Sequence, residues 1–173
     1  MKKYTITAIT LHWLMALAVI GMFALGFYMA GLPLSPNKLK LYSWHKWSGV
    51  TVFLLAWMRL TWRIFHHPPV LPGHMSRIEQ VIAHAGHDML YLMMFAIPVS
   101  GWLMSSAKGV QTVLFGVLPI PDLVVKDREL GELLQTIHWG LNLLLATIVI
   151  GHAAVALKHH FIDKDDVLTR MLP

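Results

Sequence analysis

Hydrophobic residues along the chain form four long runs, and shorter polar segments separate them. Each run approaches the roughly 20 apolar residues that a helix needs to cross a bilayer. The first and last runs contain no Asp, Glu, Lys or Arg. The chain is therefore predicted to be all-α, an integral membrane four-helix bundle in which residues 1–173 form a single domain. The predicted spans are Leu11–Ala30, Leu41–Trp62, Ala83–Met104 and Leu133–Leu157.

Two of these runs have a competing interpretation. The second includes Lys46 and Arg59, but both lie near its ends, where long cationic side chains can reach the lipid headgroups. The first could be a signal peptide, yet it lacks a small-residue cleavage site and is longer than the usual signal core. We therefore expect the first run to be retained and the second to span.

Lys and Arg positions predict how the bundle is oriented. Two groups of polar segments alternate along the chain, and the group that contains both termini carries the larger share of cations. By the positive-inside rule, both termini are predicted to be cytoplasmic. The net charge of +5 is then explained by cations that orient the helices and contact anionic lipid headgroups, so no nucleic acid is predicted as a partner. The first group is Lys2, Lys3, Arg59, Arg63, Arg77, Lys158, Lys164 and Arg170, and the second is Lys38, Lys40, Lys46, Lys108, Lys126 and Arg128.

The composition limits the kind of chemistry that the chain can carry. It is 56% hydrophobic and only 13% charged, which excludes a water-soluble globule. It contains no cysteine, which excludes disulfides, thiolate zinc sites, iron–sulfur clusters and covalently attached haem. Any metal must be bound by nitrogen or oxygen, and the eleven histidines are the obvious source.

Four histidines are predicted to form two pairs at different depths. His138 and His152 are fourteen residues apart, so they share one helix face and are separated by a rise of about 21 Å. With both termini inside, His12 lies at the depth of His152, and His45 lies at the depth of His138. A lone membrane histidine can simply form a helix–helix hydrogen bond, but two pairs on one stripe favour a functional interpretation.

Haem b matches this arrangement, because its iron takes one axial nitrogen from each face of a flat hydrophobic ring. The sequence therefore predicts two haem b groups. Gly49, Gly140 and Gly151 are candidates for small residues against the ring, although helix–helix contacts also select glycine. Zinc is possible for any histidine pair, but its sites usually need three or four clustered protein ligands.

Several segments resemble the bacterial cytochrome b561 family over nearly the whole chain. They are TLHWLMAL (10–17), LYSWHKWSGV (41–50), AHAGHDMLYLMMFAIPVSGW (83–102), IHWGLNLL (137–144) and IGHAAVALKHHFIDKDDVLTRMLP (150–173). The resemblance implies a four-helix di-haem protein of the bacterial inner membrane that oxidises superoxide and reduces ubiquinone. It also implies that His12 and His152 bind the inner haem iron and that His45 and His138 bind the outer haem iron. These four residues are the metal and cofactor ligands that we predict.

A quinone and proton site is predicted near the cytoplasmic surface. His84, His87 and Asp88 lie in the first turns of the third run, and His159 or His160 could complete a pocket. Imidazole is a natural carrier of the protons that quinone reduction consumes. The alternatives are that the histidines are interfacial residues reaching water and that Asp88 pairs with Arg77 or another base.

The opposite surface offers a cationic patch for an anionic substrate. Lys38, Lys40 and Lys46 flank His45, and such a patch could steer superoxide toward the outer haem. The alternative is an ordinary solvated loop. Some of these cations, or Arg59 and Arg63 on the inner side, could instead pair with haem propionates.

Two other functions remain open from the sequence. The chain could be a haem b membrane anchor that links a periplasmic dehydrogenase or hydrogenase to the quinone pool, although its short outer loops disfavour a large docking partner. It could also be a histidine-lined carrier of metal ions or protons without haem. We predict no obligate protein partner.

Overall fold

The computed structural model describes residues 3–173, and four long helices dominate it. A short antiparallel hairpin joins the third and fourth helices, with strands β1 (Val113–Leu114) and β2 (Leu118–Pro119). A π-helical turn follows the fourth helix, and a short 3₁₀ turn lies near the carboxyl terminus. The helices are α1 (Ile6–Gly31), α2 (Pro36–Phe65), α3 (Arg77–Ala107) and α4 (Arg128–Lys158), and the two turns are His159–Asp163 and Thr169–Met171.

Each helix is longer than its apolar run, because polar residues cap the ends. The side chain of Ser76 accepts a hydrogen bond from the backbone of Glu79, whose side chain accepts one from the Ser76 backbone. At the start of α2, the Ser35 side chain accepts a hydrogen bond from the Lys38 backbone, and Pro36 lies in the first turn, where its missing N–H leaves no helical bond unmade. These capped turns add helix outside the hydrophobic segments, so hydrophobicity alone underestimates helix length.

The membrane character of the bundle agrees with the sequence prediction. Within residues 3–173, three helices are long and apolar enough to cross a membrane: Ile6–Gly31, Arg77–Ala107 and Arg128–Asp163. The chain is an all-α membrane helical bundle. Helix α2 is more polar, but its 30 residues extend about 45 Å. That α2 also spans stays a prediction.

The helices pack in chain order, α1 on α2, α2 on α3 and α3 on α4. A buried apolar cluster of Val19, Leu90, Met93 and Leu145 joins α1, α3 and α4 near mid-helix. We call the end of the bundle that carries β1 and β2 the hairpin end. The opposite end, which carries residues 164–173, is the tail end.

Both ends are closed by hydrogen bonds from side chains to backbone carbonyls. At the hairpin end, Lys46 Nζ donates to the Val110 carbonyl at 2.8 Å, and Trp47 Nε1 donates to the Val113 carbonyl at 2.7 Å. These bonds attach the hairpin to α2.

The tail folds back over the opposite end. Trp13 Nε1 donates to the Met171 carbonyl at 2.8 Å. Arg170 donates to the Val70 carbonyl at 2.6 Å and pairs with Asp166 at 2.6 Å. The tail is therefore attached to α1 and to the loop between α2 and α3.

Candidate functional site

The structure brings together the two histidine pairs that the sequence predicts. The ring centroids of His45 and His138 are 6.5 Å apart at the hairpin end, and those of His12 and His152 are 6.2 Å apart at the tail end. Two imidazoles on opposite sides of one metal, each with a bond of about 2.0 Å, place their centroids roughly 6.3 Å apart. Both pairs therefore have the spacing of a bis-histidine metal centre.

One histidine of each pair also has a buried ring nitrogen without a hydrogen-bond partner in the part of the chain that the structure describes. His12 Nδ1 and His45 Nδ1 are buried without a hydrogen bond from any described residue. An unpaired buried polar group ordinarily destabilises a protein by about 1–3 kcal/mol. Unpartnered imidazoles facing one another fit residues that bind an external group.

The hairpin-end pair borders an apolar cavity of about 370 Å³. Most of its lining is hydrophobic, and its polar residues lie beside the two histidines or near the hairpin. A porphyrin is a flat hydrophobe with charged propionates at one edge, so an apolar space with a polar rim suits it. Its lining includes Val19, Met22, Phe23, Gly49, Val50, Met93, Met94, Ile97, Leu145, Tyr42, Lys46, Thr112 and Asn142.

Glycines make room for the histidines of this pair. Of the three glycines predicted from the sequence, one borders the cavity. Gly49 lines it, whereas a Cβ on Gly140 or Gly151 would meet nothing within 4 Å, and both residues are exposed. The close approaches involve glycines that sequence reasoning missed. A Cβ on Gly101 would lie 3.2 Å from His138 Cε1, and one on Gly26 would lie 3.5 Å from His45 Cε1.

A third histidine joins the pair at the tail end. The His87 ring centroid is 5.3 Å from that of His152, and His87 Nδ1 lies 2.7 Å from the Ala83 carbonyl. That carbonyl can only accept, so His87 Nδ1 donates the proton and its Nε2 keeps a lone pair. Arg59 and Arg63 are cations on α2 near this group, and they lie over the Tyr91 ring at 5.6 and 5.7 Å.

The structure separates His87 from the other two residues predicted beside it. His84 and Asp88 are exposed, whereas His87 is half-buried against His152. His84 and Asp88 are four residues apart and share a helix face, while His87 points about 60° to 100° away from them. Of this group, only His87 adjoins the histidine pair.

His159 belongs to a different polar group at the tail end. It is 5% exposed, and its Nδ1 lies 2.7 Å from Asp165 Oδ2 and 3.2 Å from Asp163 Oδ2. His74 Nε2 lies 3.3 Å from the same Asp165 oxygen. His74 comes from the loop before α3, and sequence reasoning missed it. We call His74, His159 and Asp165 the His–Asp cluster; His160 instead packs on Phe161.

The His–Asp cluster can exchange protons or hold a cation. Burial alone would raise the pKa of Asp165, but hydrogen bonds from the Val167 backbone and from His159 hold that pKa below its ordinary value. Asp165 therefore keeps its negative charge beside two imidazoles. Ligand atoms of all three residues lie within 4.8 Å of one another, so a divalent metal is a second chemistry open to this cluster.

The three predicted steering lysines lie at the hairpin end in different environments. Lys38 Nζ donates to the Leu32 carbonyl, and Lys46 borders the cavity while bonded to Val110. Lys40 is exposed, with its Nζ 5.1 Å from the Trp44 ring centroid. All three add positive charge near His45, but two of them also hold backbone carbonyls.

Comparison with known proteins agrees with this geometry. Residues 3–173 match the sequence profile described as prokaryotic cytochrome b561. Cytochrome b561 homolog 2 of Escherichia coli (strain K12) is 36% identical over 99% of this chain and 92% of its own length. The protein named "Probable superoxide oxidase CybB" of Yersinia pestis is 30% identical over 99% of this chain and 97% of its own length. Cytochrome b561 homolog 1 of the same E. coli strain is 28% identical over 100% and 98%. The chain thus belongs to the prokaryotic cytochrome b561 family, whose members are membrane electron-transfer proteins that bind haem b.

Proposed function

We propose that this protein binds two haem b groups and is a superoxide:ubiquinone oxidoreductase. The observation that carries the proposal is the spacing of the two histidine pairs, 6.5 and 6.2 Å between ring centroids. The resemblance to a relative named as a probable superoxide oxidase supports the choice of substrate. Bound haem b would supply one-electron redox centres that interior side chains of this chain do not provide.

His45 and His138 would hold one haem, and His12 and His152 would hold the other. In each pair the two ligands come from different helices, so haem binding would also connect α2 or α1 to α4. Lys46 borders the hairpin-end cavity, where an ammonium could pair with a propionate. At the tail end Arg59 would have the same role, because it lies beside the His12 and His152 pair.

Superoxide would react at the hairpin end, which we propose faces the periplasm. Lys38, Lys40 and Lys46 lie on the same part of α2 as His45 and give this end positive charge. Charge of that sign raises the encounter rate of a small anion by about 10- to 10³-fold. Each superoxide would lose one electron and leave as oxygen.

Ubiquinone would be reduced at the tail end, which we propose faces the cytoplasm. One quinone accepts two electrons from two superoxide anions and takes up two protons, which yields one quinol and two molecules of oxygen. The His–Asp cluster supports this placement, because the Asp165 carboxylate lies 2.7 Å from His159 and 3.3 Å from His74, and imidazoles and carboxylates are side chains that transfer protons in catalysis. His87 would contact the quinone from the haem side, whereas the exposed His84 and Asp88 would collect protons at the surface.

Anaerobic spectroscopy of the purified chain tests the proposal directly. Superoxide should reduce the haem, and ubiquinone should then reoxidise it without any added subunit. The reduced spectrum should correspond to two low-spin b haems per chain. Haem that superoxide leaves oxidised would contradict the proposed donor, and reduced haem that ubiquinone leaves unchanged would contradict the proposed acceptor.

A haem-bearing anchor for a periplasmic dehydrogenase or hydrogenase is the second candidate. The observation that favours it is the apolar hairpin, where Val117 is 84% exposed and Phe115 is 64% exposed. Exposed apolar side chains of this kind suit a membrane or a docked subunit. Copurification of a periplasmic subunit, together with no superoxide consumption in its absence, would select the anchor.

A further inference from the structure

The four paired histidines differ in what their Nδ1 atoms contact. His138 Nδ1 lies 2.8 Å from the hydroxyl oxygen of Ser100 on α3. In contrast, the Nδ1 atoms of His12 and His45 are buried with no hydrogen-bond partner among the described residues. The hairpin-end pair therefore joins one anchored imidazole with one that lacks an anchor.

The Ser100 contact defines which nitrogen of His138 carries the proton. The Ser100 hydroxyl has a single proton, and its oxygen is 2.8 Å from the Ile97 carbonyl, which can only accept a hydrogen bond. Ser100 therefore donates to Ile97 and accepts from His138 Nδ1. That tautomer leaves a lone pair on His138 Nε2, which is the nitrogen available for a metal.

The surroundings of Ser100 hold this geometry in place. Ser100 is 6% exposed, so water does not compete for its hydroxyl. The next residue is Gly101, whose missing side chain lets the His138 ring lie against α3. In addition, the Asn142 side chain donates to the His138 carbonyl at 2.7 Å, which ties down the backbone of α4.

We propose that Ser100 is a positioning residue that sets the His138 tautomer and lowers the midpoint potential of the hairpin-end haem. This inference rests on the ligation scheme of the proposed function. A hydrogen bond accepted from Nδ1–H makes the imidazole a stronger electron donor through Nε2. A stronger donor favours ferric over ferrous iron, and it acts here on one of the two haems only.

Redox titration of the purified holoprotein tests this role. Ser100→Ala should raise the midpoint potential of one haem and leave the other unchanged. One hydrogen bond predicts a change of roughly 3- to 10-fold in the ferric–ferrous equilibrium. Ser100→Thr keeps the hydroxyl and should restore the original midpoint.

Ser106→Ala is the matched control. Ser106 is a buried serine on the same helix, and its hydroxyl donates to the Trp102 carbonyl and accepts from the Leu123 backbone. Loss of the Ser106 hydroxyl should leave the midpoint potentials of both haems unchanged. Equal shifts in Ser100→Ala and Ser106→Ala would overturn the proposal, because they would reflect loosening of α3.

The remaining outcomes separate the inference from the function on which it rests. Two haems with unshifted midpoints in Ser100→Ala overturn the role of Ser100 and leave the ligation scheme intact. If Ser100→Ala loses one haem, recovery in Ser100→Thr supports the positioning role, and failure to recover overturns it. A wild-type protein with a single haem overturns the ligation scheme itself, and the role of Ser100 with it.

Discussion

The hairpin end and the tail end each carry one pair of facing histidines, but the two pairs lie in different settings. At the hairpin end, His45 and His138 border an apolar cavity, and lysines lie at its rim. At the tail end, a third imidazole, His87, lies beside the pair, and two members of the His–Asp cluster, His159 and Asp165, follow 7 and 13 residues after His152.

This difference separates two kinds of chemistry. The hairpin end offers charge and apolar space, which suits electron transfer from a small anion without proton exchange. The tail end offers carboxylates and imidazoles, which suits a reaction that takes up protons. In the proposed function the two histidine pairs would provide the shared electron path, and the side chains around them distinguish the two ends.

Removing an axial histidine should have the largest effect. His45→Ala or His138→Ala should lose about half of the haem b absorbance, since each haem needs two ligands. Superoxide-driven quinone reduction should then stop. His12→Ala or His152→Ala should remove the other half. The haem that remains should have a different midpoint potential in the two groups of variants. Pyridine haemochrome assays measure the haem content.

His84→Ala is the control for that series, because His84 is exposed on α3. It should keep both haems. Full haem content in any of the four histidine variants would contradict the assignment of that histidine as a haem ligand.

Disrupting the His–Asp cluster should affect the tail end alone. His159→Ala or Asp165→Asn should slow quinone reduction by about 10²-fold, because proton transfer by a positioned side chain contributes at least that much. Haem reduction by superoxide should continue at its normal rate. Stopped-flow absorbance separates the two half-reactions. His160→Ala, whose ring packs on Phe161, should behave as wild type, and normal quinone reduction in Asp165→Asn would remove the cluster from the mechanism.

Crowding the hairpin-end pair should have a smaller and local effect. In Gly101→Ala the new Cβ would lie 3.2 Å from His138 Cε1, so the ring must shift. Overpacking of this kind costs about 1–3 kcal/mol, which corresponds to roughly tenfold weaker haem binding or more. Haem titration of the apoprotein measures this affinity. Gly140→Ala, where a Cβ meets open space, should bind haem normally; equal loss in both variants would point to general destabilisation of the bundle.

Neutralising the hairpin-end lysines should have the smallest effect. Replacement of Lys38, Lys40 and Lys46 by Gln should slow superoxide consumption by about tenfold at low salt and flatten its dependence on ionic strength. Pulse radiolysis at several salt concentrations measures both. Lys164→Gln at the tail end should change neither. A triple variant with normal salt dependence would contradict the steering role and leave Lys38 and Lys46 as contacts to backbone carbonyls.

Helix periodicity was enough to predict one histidine of each pair, because 3.6 residues per turn places His138 and His152 on one face of α4 whatever helix packs beside it. Their partners followed from depth alone. The same reasoning could not reach Ser100 or Gly101, because their contact with His138 depends on how α3 is rotated against α4. His74 was missed because it lies in a loop whose path the hydrophobic pattern does not define.

The third helix shows where spacing misleads. His84, His87 and Asp88 are neighbours in sequence, but the packing of α3 turns His87 inward and leaves the other two exposed. Polar caps such as Ser76 with Glu79 lengthened the helices beyond their apolar runs. Both features depend on neighbours in space or on local hydrogen bonding, which hydrophobicity does not report.

The cluster of Val19, Leu90, Met93 and Leu145 at mid-bundle has an electrical consequence. Its side chains contain no group that can accept or release a proton, so an electron that moved between the two histidine pairs, as proposed, would pass this level without a proton carried by these side chains. Each electron that crossed would move net charge across the membrane. The rate of turnover should therefore depend on the voltage imposed across the membrane.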